Sequence, residues 1–147
     1  MLVDARPLRA LLLALPLLAA APSLHADEPA PSSALEFRTA VRGAKGVVRC
    51  GLFRQSGWLK TPVRAAVGAI RAGSALCVFK DVPKGVYGIS AFHDENENGK
   101  LDTNLLGLPT EDYCASRDAR NTFGPPSFGD AKFSYAGGLL RLKATMK

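Results

Sequence analysis

Short segments in which apolar and polar residues alternate recur along the chain from residue 34 onward. The period of two is that of half-buried β-strands. The segments are Ala34–Val41, Gly46–Phe53, Ser74–Val82, Val86–Asp94 and two C-terminal runs, AKFSYAGG and LLRLKATMK. Short strands, frequent turn residues and little helix predict an all-β fold over residues 34–147, a single β-sandwich of about seven strands.

The strand pattern also predicts faces and neighbours. Val48, Cys50 and Leu52 share one face of the second segment. Tyr87, Ile89, Ala91 and His93 share one face of the fourth. The residues RGAKG between the first two segments predict a hairpin, and Gly137-Gly138 predicts another strand pair at the C-terminus.

Two regions are less regular. Thr61–Gly73 is Ala-rich, and its apolar residues Val63, Val67 and Ile70 recur at helical spacing, so it is interpreted as a short helix or an irregular edge. Thr103–Asp130 is a long connection rich in Gly, Pro and Asn. Such loops are usually functional or disordered. This one carries enough Leu, Tyr and Phe that we expect it to be ordered and to pack back on the sandwich.

The N-terminal segment has the layout of a secretory signal peptide. Arg6 and Arg9 precede an apolar run, and small residues end it at Ala26. The run is short for a bilayer span, so a lasting membrane anchor is the weaker interpretation. We therefore predict a signal peptide over 1–26, a disordered lead-in over 27–33, and a periplasmic or secreted protein.

The distribution of charged residues narrows the kinds of partner that the sequence predicts. The formal net charge is +6, but the basic residues are scattered and no aromatic-interleaved basic cluster occurs. The charge is therefore attributed to solubility, and no nucleic-acid partner is predicted. An envelope glycan or protein remains the expected kind of partner, without a feature that selects one.

The chain has three cysteines, Cys50, Cys77 and Cys114. An oxidising compartment permits one disulfide and leaves one thiol. Cys50 and Cys77 lie in apolar strand-like runs, so their pairing is the favoured prediction, while pairings with Cys114 stay open because sequence does not fix connectivity. The alternative is that all three are small buried apolar residues.

The stretch DENENGKLD, Asp94 to Asp102, is the segment with the clearest chemistry. Oxygen-bearing side chains at alternate positions and a Gly that permits a sharp turn are features of Ca²⁺ loops. The predicted ligands are Asp94, Asn96, Asn98, the Lys100 carbonyl and Asp102. Hard oxygens without His or thiolate favour Ca²⁺ over transition metals, and Mg²⁺ would need a stricter octahedron.

Other interpretations of this stretch compete with the metal. Leu105 stands where a helix–loop–helix site has a bidentate Glu, so the shorter form closed by Asp102 fits better, with Glu111 or Asp112 as a further ligand. Asn, Asp and Gly are also what a plain tight turn uses. Five oxygen-bearing positions in register exceed the needs of a turn, so a structural Ca²⁺ loop is predicted.

A hydrolase is the alternative function. It would use His93 with Glu111 or Asp112, and Ser116 lies in the same long loop. A lone His at a strand end is more often packed than catalytic, and Ser116 has no nucleophile-elbow setting. Trp58 and Tyr113 could present an aromatic surface to a sugar or peptide, although partly buried aromatics are the commoner case.

The segment Phe79–Phe133 resembles DUF2141, an uncharacterised family of bacterial exported proteins. The matching motifs are Pro83/Gly85/Tyr87, His93 to Asp102, Gly107/Pro109/Glu111, Ser116 and Pro125/Pro126/Phe128/Asp130/Ala131. The resemblance implies an exported β-sandwich similar to transthyretin-like or carboxypeptidase-regulatory domains, and it implies no activity. We therefore expect a non-enzymatic binding or structural module of the cell envelope.

Overall fold

The structure is a computed structural model that describes residues 33–147. The predicted signal peptide and nearly all of the predicted lead-in lie outside the described residues. Between residues 33 and 147, no helix is long and apolar enough to cross a membrane.

Strands account for almost all of the regular structure. They are β1 (Ala34–Ala40), β2 (Val47–Phe53), β3 (Arg64–Arg71), β4 (Ser74–Lys80), β5 (Gly85–Asp94), β6 (Tyr113–Ala115), β7 (Phe133–Tyr135) and β8 (Leu139–Thr145). Two 3-10 turns, Gln55–Gly57 and Ser116–Asp118, and the four-residue helix α1, Phe128–Ala131, complete the elements. The all-β prediction is confirmed.

The strands form one continuous sheet that curls toward a closed barrel. Its order is β6-β5-β2-β3-β4-β1-β8, and β7 pairs with β5 outside this path. The two ends meet where the backbones of Tyr113 and Lys147 exchange hydrogen bonds of 3.2 Å in both directions. The finer prediction of two stacked sheets is not confirmed, because hydrogen-bonded neighbours run from one end of the sheet to the other.

Both predicted strand pairs are wrong. β1 lies antiparallel to β4 and parallel to β8, while β2 lies between β3 and β5. β7 pairs with β5, so the two C-terminal strands are not paired with each other. The parallel β1–β8 contact joins the two ends of the domain, and the segment RGAKG carries the chain from one region of the sheet to another.

The helical alternative for Thr61–Gly73 is wrong as well, since most of it is β3. Small residues are needed here because the strands approach closely. A Cβ on Gly68 would lie 2.8 Å from the Leu76 carbonyl oxygen of β4. Ala and Gly at these positions therefore reflect close strand contact and not helix propensity.

The core lies inside the curled sheet, and both predicted strand faces point into it. Val48, Leu52 and Ile89 are fully buried. Cys50 and Cys77 also point inward and form the disulfide that the sequence favoured, with their Cα atoms 6.3 Å apart. Cys114 is a buried free thiol.

The long connection is ordered, but only parts of it pack on the sheet as expected. Tyr113–Ala115 adds a strand, and the Ser116 hydroxyl, fully buried, donates to the Ala131 carbonyl over 2.6 Å. Phe128 lies edge-on against Trp58. The expectation is wrong for the apolar tips, because four side chains there are exposed: Leu105, Leu106, Leu108 and Phe123.

Candidate metal-binding loop

Asp94 forms the floor of the loop. It is the last residue of β5, and its side chain is fully buried. The backbone N–H groups of Asn98 and Gly99 donate to its two oxygens over 3.0 and 2.9 Å, and the Arg49 guanidinium donates through Nε. Burial by itself raises the pKa of Asp94, but these donors outweigh it and lower the pKa below its ordinary value.

Two glycines let the chain close around this floor. Gly46 lies against the loop entry, where a Cβ would come within 2.1 Å of the Asp94 carbonyl oxygen. Its φ of 71° and the φ of 80° at Gly99 are left-handed values that favour glycine. Glu97 also has a positive φ, 57°. The loop is therefore a tight turn with a fixed backbone, as its residue pattern predicted.

The oxygens and amides of the loop converge on Asp102. Each Asp102 carboxylate oxygen accepts a 2.8 Å hydrogen bond, one from the Asn96 amide and one from the Asn98 amide. The amide oxygens of the same two residues accept backbone N–H groups, Asn96 from Asn98 and Asn98 from Lys100. Four of the five predicted ligands are thus linked by hydrogen bonds, and Lys100 joins the network through its N–H.

Glu111 closes the loop from the side. Its two oxygens accept the backbone N–H groups of Glu95 and Asp102, both over 3.0 Å. These two residues stand at the entry and the exit of the loop, and Glu111 is nearly buried. The sequence suggested Glu111 as a further ligand, and in this structure its contacts are those of a clamp across the neck of the loop.

His93 belongs to the core and not to a catalytic cluster. Its ring is buried, with Nε2 2.7 Å from the Lys45 carbonyl oxygen and Nδ1 3.7 Å from a Glu95 oxygen. A Cβ on Gly43 would come within 2.9 Å of the ring, so the backbone covers it closely. Neither ring nitrogen contacts a carboxylate of Glu111 or of its neighbour Asp112.

The remaining candidates also have structural contacts. Asp112 faces the exposed Arg42 at 3.5 Å. The Ser116 side chain is buried in the core, where its hydroxyl oxygen also accepts the Ile89 N–H. Trp58 is packed between Phe53 and Phe128, and its ring N–H donates to the Pro126 carbonyl. Trp58 is therefore a partly buried aromatic, the commoner case for such a residue, and Tyr113 is partly buried on β6.

The loop offers hard oxygen ligands of the kind that Ca²⁺ takes. The side-chain oxygens of Asn96 and Asn98 each accept a backbone N–H with one lone pair and keep a second, and Asp94 and Asp102 add carboxylate oxygens. Among residues 33–147 no three His, Cys, Asp or Glu side chains cluster, so amide and backbone oxygens would have to complete the set. Arg49, which the sequence did not single out, donates to Asp94 and balances its charge.

The chain matches one known protein family. The family model described as an uncharacterized protein conserved in bacteria, DUF2141, matches residues 39–141. The chain belongs to the DUF2141 family. No curated protein and no solved structure matches it. The predicted resemblance is thereby confirmed, and the DUF2141 match contains both the loop and its Glu111 clamp.

Proposed function

We propose that this DUF2141 protein is an exported, non-enzymatic module of the bacterial cell envelope in which the Asp94–Asp102 loop binds Ca²⁺ as a structural ion. The N-terminal sequence supports export to the periplasm or medium, since its charged, apolar and small-residue segments follow the order of a secretory signal. A glycan or protein of the envelope would be the partner, and the proposed fold is a β-sandwich similar to transthyretin-like or carboxypeptidase-regulatory domains.

One observation carries the Ca²⁺ proposal. The Asp102 carboxylate lies 2.8 Å from both the Asn96 and the Asn98 amides, in the same loop as the buried Asp94 carboxylate. Rotating either amide by half a turn would direct its oxygen toward Asp102 without moving the backbone, and the backbone N–H that this oxygen now accepts would lose its partner. A cation entering between these groups would replace the amide N–H donors and the Arg49 guanidinium as the positive partners of the two aspartates.

The non-enzymatic part of the proposal is supported by His93. It is the only His between residues 33 and 147, and it is 1% exposed with its ring directed at a backbone carbonyl. A general base must reach the proton that it removes from a substrate. A ring held in the core in this way is suited to packing.

Thermal unfolding with and without metal tests the proposal. We expect millimolar Ca²⁺ to raise Tm relative to excess EGTA, because a ligand at a hundred times its Kd adds about 2.7 kcal/mol. That stabilisation corresponds to roughly 10 °C for a domain of this size. Mg²⁺ at the same concentration should give a smaller rise in Tm, because Mg²⁺ requires a stricter octahedral arrangement of ligands and loses its bound water less readily than Ca²⁺.

Two matched variants locate the effect. Asp102→Ala removes a proposed ligand that closes the loop, and it should abolish the Ca²⁺-dependent rise in Tm. Asp130→Ala removes a carboxylate of α1 that accepts the Ser127 hydroxyl. Asp130 lies well away in sequence from the loop, so this variant should keep the Ca²⁺-dependent rise in Tm. If the wild-type protein melts at the same temperature in Ca²⁺ and in EGTA, the Ca²⁺ proposal is rejected.

A further inference from the structure

The inward face of the sheet forms the core. Its outward face carries a second apolar surface. Arg49 of β2 lies opposite Val67 of β3 on one side and Phe92 of β5 on the other. Phe92 in turn lies opposite Tyr113 of β6. These four residues form one row across four strands, and they point outward because Val48 and Cys50, their neighbours on β2, point into the core.

The second half of the Asp94–Asp102 loop and two parts of the long connection rise beside this row and turn it into a groove. The walls come from residues within 99–109 and 121–126, and the groove has a volume of about 740 Å³. That volume is in the range of a pocket for one small molecule, about 300–1,000 Å³. Apolar side chains dominate the lining, among them Phe53, Leu59, Phe92, Leu101, Leu108 and Pro126.

Arg49 is the only charged residue that lines this groove. Its side chain is 34% exposed. Within residues 33–147 its guanidinium hydrogen-bonds only through Nε, to Asp94, so its two terminal nitrogens have no protein acceptor there. A planar guanidinium whose two terminal nitrogens have no acceptor, set among apolar side chains, is suited to a carboxylate.

We infer that the groove binds a single-chain carboxylate amphiphile of the fatty-acid type, with its carboxylate at Arg49 and its chain along the Phe92–Tyr113 side of the row. The inference does not depend on the proposed metal, since none of the contacts that it uses involves a bound ion. The complementary charges fix the orientation of the amphiphile, and the apolar lining accepts its chain.

The sheet geometry argues against an extended peptide as the occupant. Peptides that add to sheets use an exposed strand edge, where main-chain hydrogen bonds are free. Here the groove lies over β3, β2 and β5, which have partners on both sides, and over β6, whose outer side pairs at Tyr113 with Lys147. The groove floor therefore offers side-chain contacts and no free backbone edge, which favours an apolar chain without polar groups along its length.

Calorimetric titration of the purified protein with submicellar dodecanoate tests the inference. It is carried out in excess EGTA, so the result is separate from that of the Ca²⁺ experiment. We expect saturable binding of one dodecanoate per chain, at least tenfold tighter than dodecan-1-ol, which has the same chain without the charge. Fluorescence of Trp58, the single Trp, should change in parallel because its ring contacts Phe53 in the groove lining.

Variants assign the binding to the groove. Val67→Glu places a carboxylate beside Arg49 in the row and should weaken dodecanoate at least tenfold, whereas Val86→Glu, at an exposed β5 position outside the groove, should leave it within twofold. The double variant Arg49→Gln/Asp94→Asn removes both members of the ion pair and should lose the preference for the acid over the alcohol.

Several outcomes would overturn the inference. These are no saturable binding of dodecanoate by the wild type, equal binding of dodecan-1-ol, or unchanged affinity in Val67→Glu. Cosedimentation with vesicles of anionic phospholipid is the last arm. Binding to vesicles without binding to dodecanoate would assign the surface to a bilayer instead of a free amphiphile. If the double variant does not fold, the alcohol comparison and Val67→Glu decide the question.

Discussion

Glu111 should contribute more to stability than its place in a loop suggests. Its carboxylate accepts two backbone N–H groups, from Glu95 and Asp102, and it is only 9% exposed. Hydrogen bonds to charged groups contribute about 1.5–3 kcal/mol each, and unpaired donors that regain only partial hydration add to the loss. Allowing for water entering the truncated site, we expect Glu111→Ala to lower the free energy of unfolding by about 2–4 kcal/mol.

Chemical denaturation in EGTA measures this loss without interference from metal. Glu111→Gln keeps one acceptor oxygen and should show roughly half of the effect. Glu36→Ala removes a carboxylate that pairs with the largely exposed Arg141 over 2.9 Å, and it should cost less than about 1 kcal/mol. A Glu111→Ala loss no larger than that of Glu36→Ala would show that the clamp does not hold the loop.

Three further predictions concern the rest of the fold. Replacing Cys50 and Cys77 by Ala should lower the free energy of unfolding by about 3.5 kcal/mol, because their link closes a long loop, and reducing agent should then have no further effect. Burial raises the pKa of the Cys114 thiol from 9.0 to about 11, so Ellman's reagent should react with it only after unfolding. The folded chain holds this proton more tightly than the unfolded chain does, so its stabilising effect is complete below about pH 9, and unfolding free energy should fall between about pH 9 and 11 by up to roughly 3 kcal/mol. Gly46→Ala should cost more than about 2 kcal/mol in a denaturant titration, because the new Cβ would collide with the Asp94 carbonyl and φ is positive.

The sequence predicted the strand faces well because a period of two is a local property. Val48, Cys50 and Leu52 could be placed on one side without knowing any partner strand. The Cys50–Cys77 pairing was the favoured choice because both lie in apolar strand-like runs, although pairings with Cys114 stayed open. Pairing was not predictable in the same way. The β1–β8 contact joins residues about a hundred positions apart, and no local pattern encodes such a contact.

The helical spacing in Thr61–Gly73 misled for a related reason. Ala favours helix, but Ala and Gly also permit close backbone approach, and only the contact of β4 with Gly68 decides between the two. A β-strand that packs closely against its neighbour can have the same small-residue composition as a helix. Tertiary contact outweighed local preference at this point.

The Asp94–Asp102 loop could be singled out from the sequence because its oxygen-bearing residues lie close together in the chain. The residues that hold the loop in place could be predicted only in part. Glu111 stood out as a nearby carboxylate, although its role as a clamp required the backbone N–H positions. Arg49 lies 45 residues before Asp94, and it reaches that carboxylate because β2 and β5 pair with Val47 opposite Asp94. Without that register the sequence gives no reason to connect the two residues.

The position of Arg49 has a consequence for how the two proposed sites would behave together. One guanidinium serves both the loop and the groove, since it is bound to Asp94 and faces the groove with its other nitrogens. A cation that takes Asp94 would release Arg49 to an anionic guest, and the guest would in turn draw Arg49 away from Asp94. Reciprocity then requires each ligand to raise the affinity for the other by the same factor. The protein would report the coincidence of Ca²⁺ and amphiphile, and respond more weakly to either one alone.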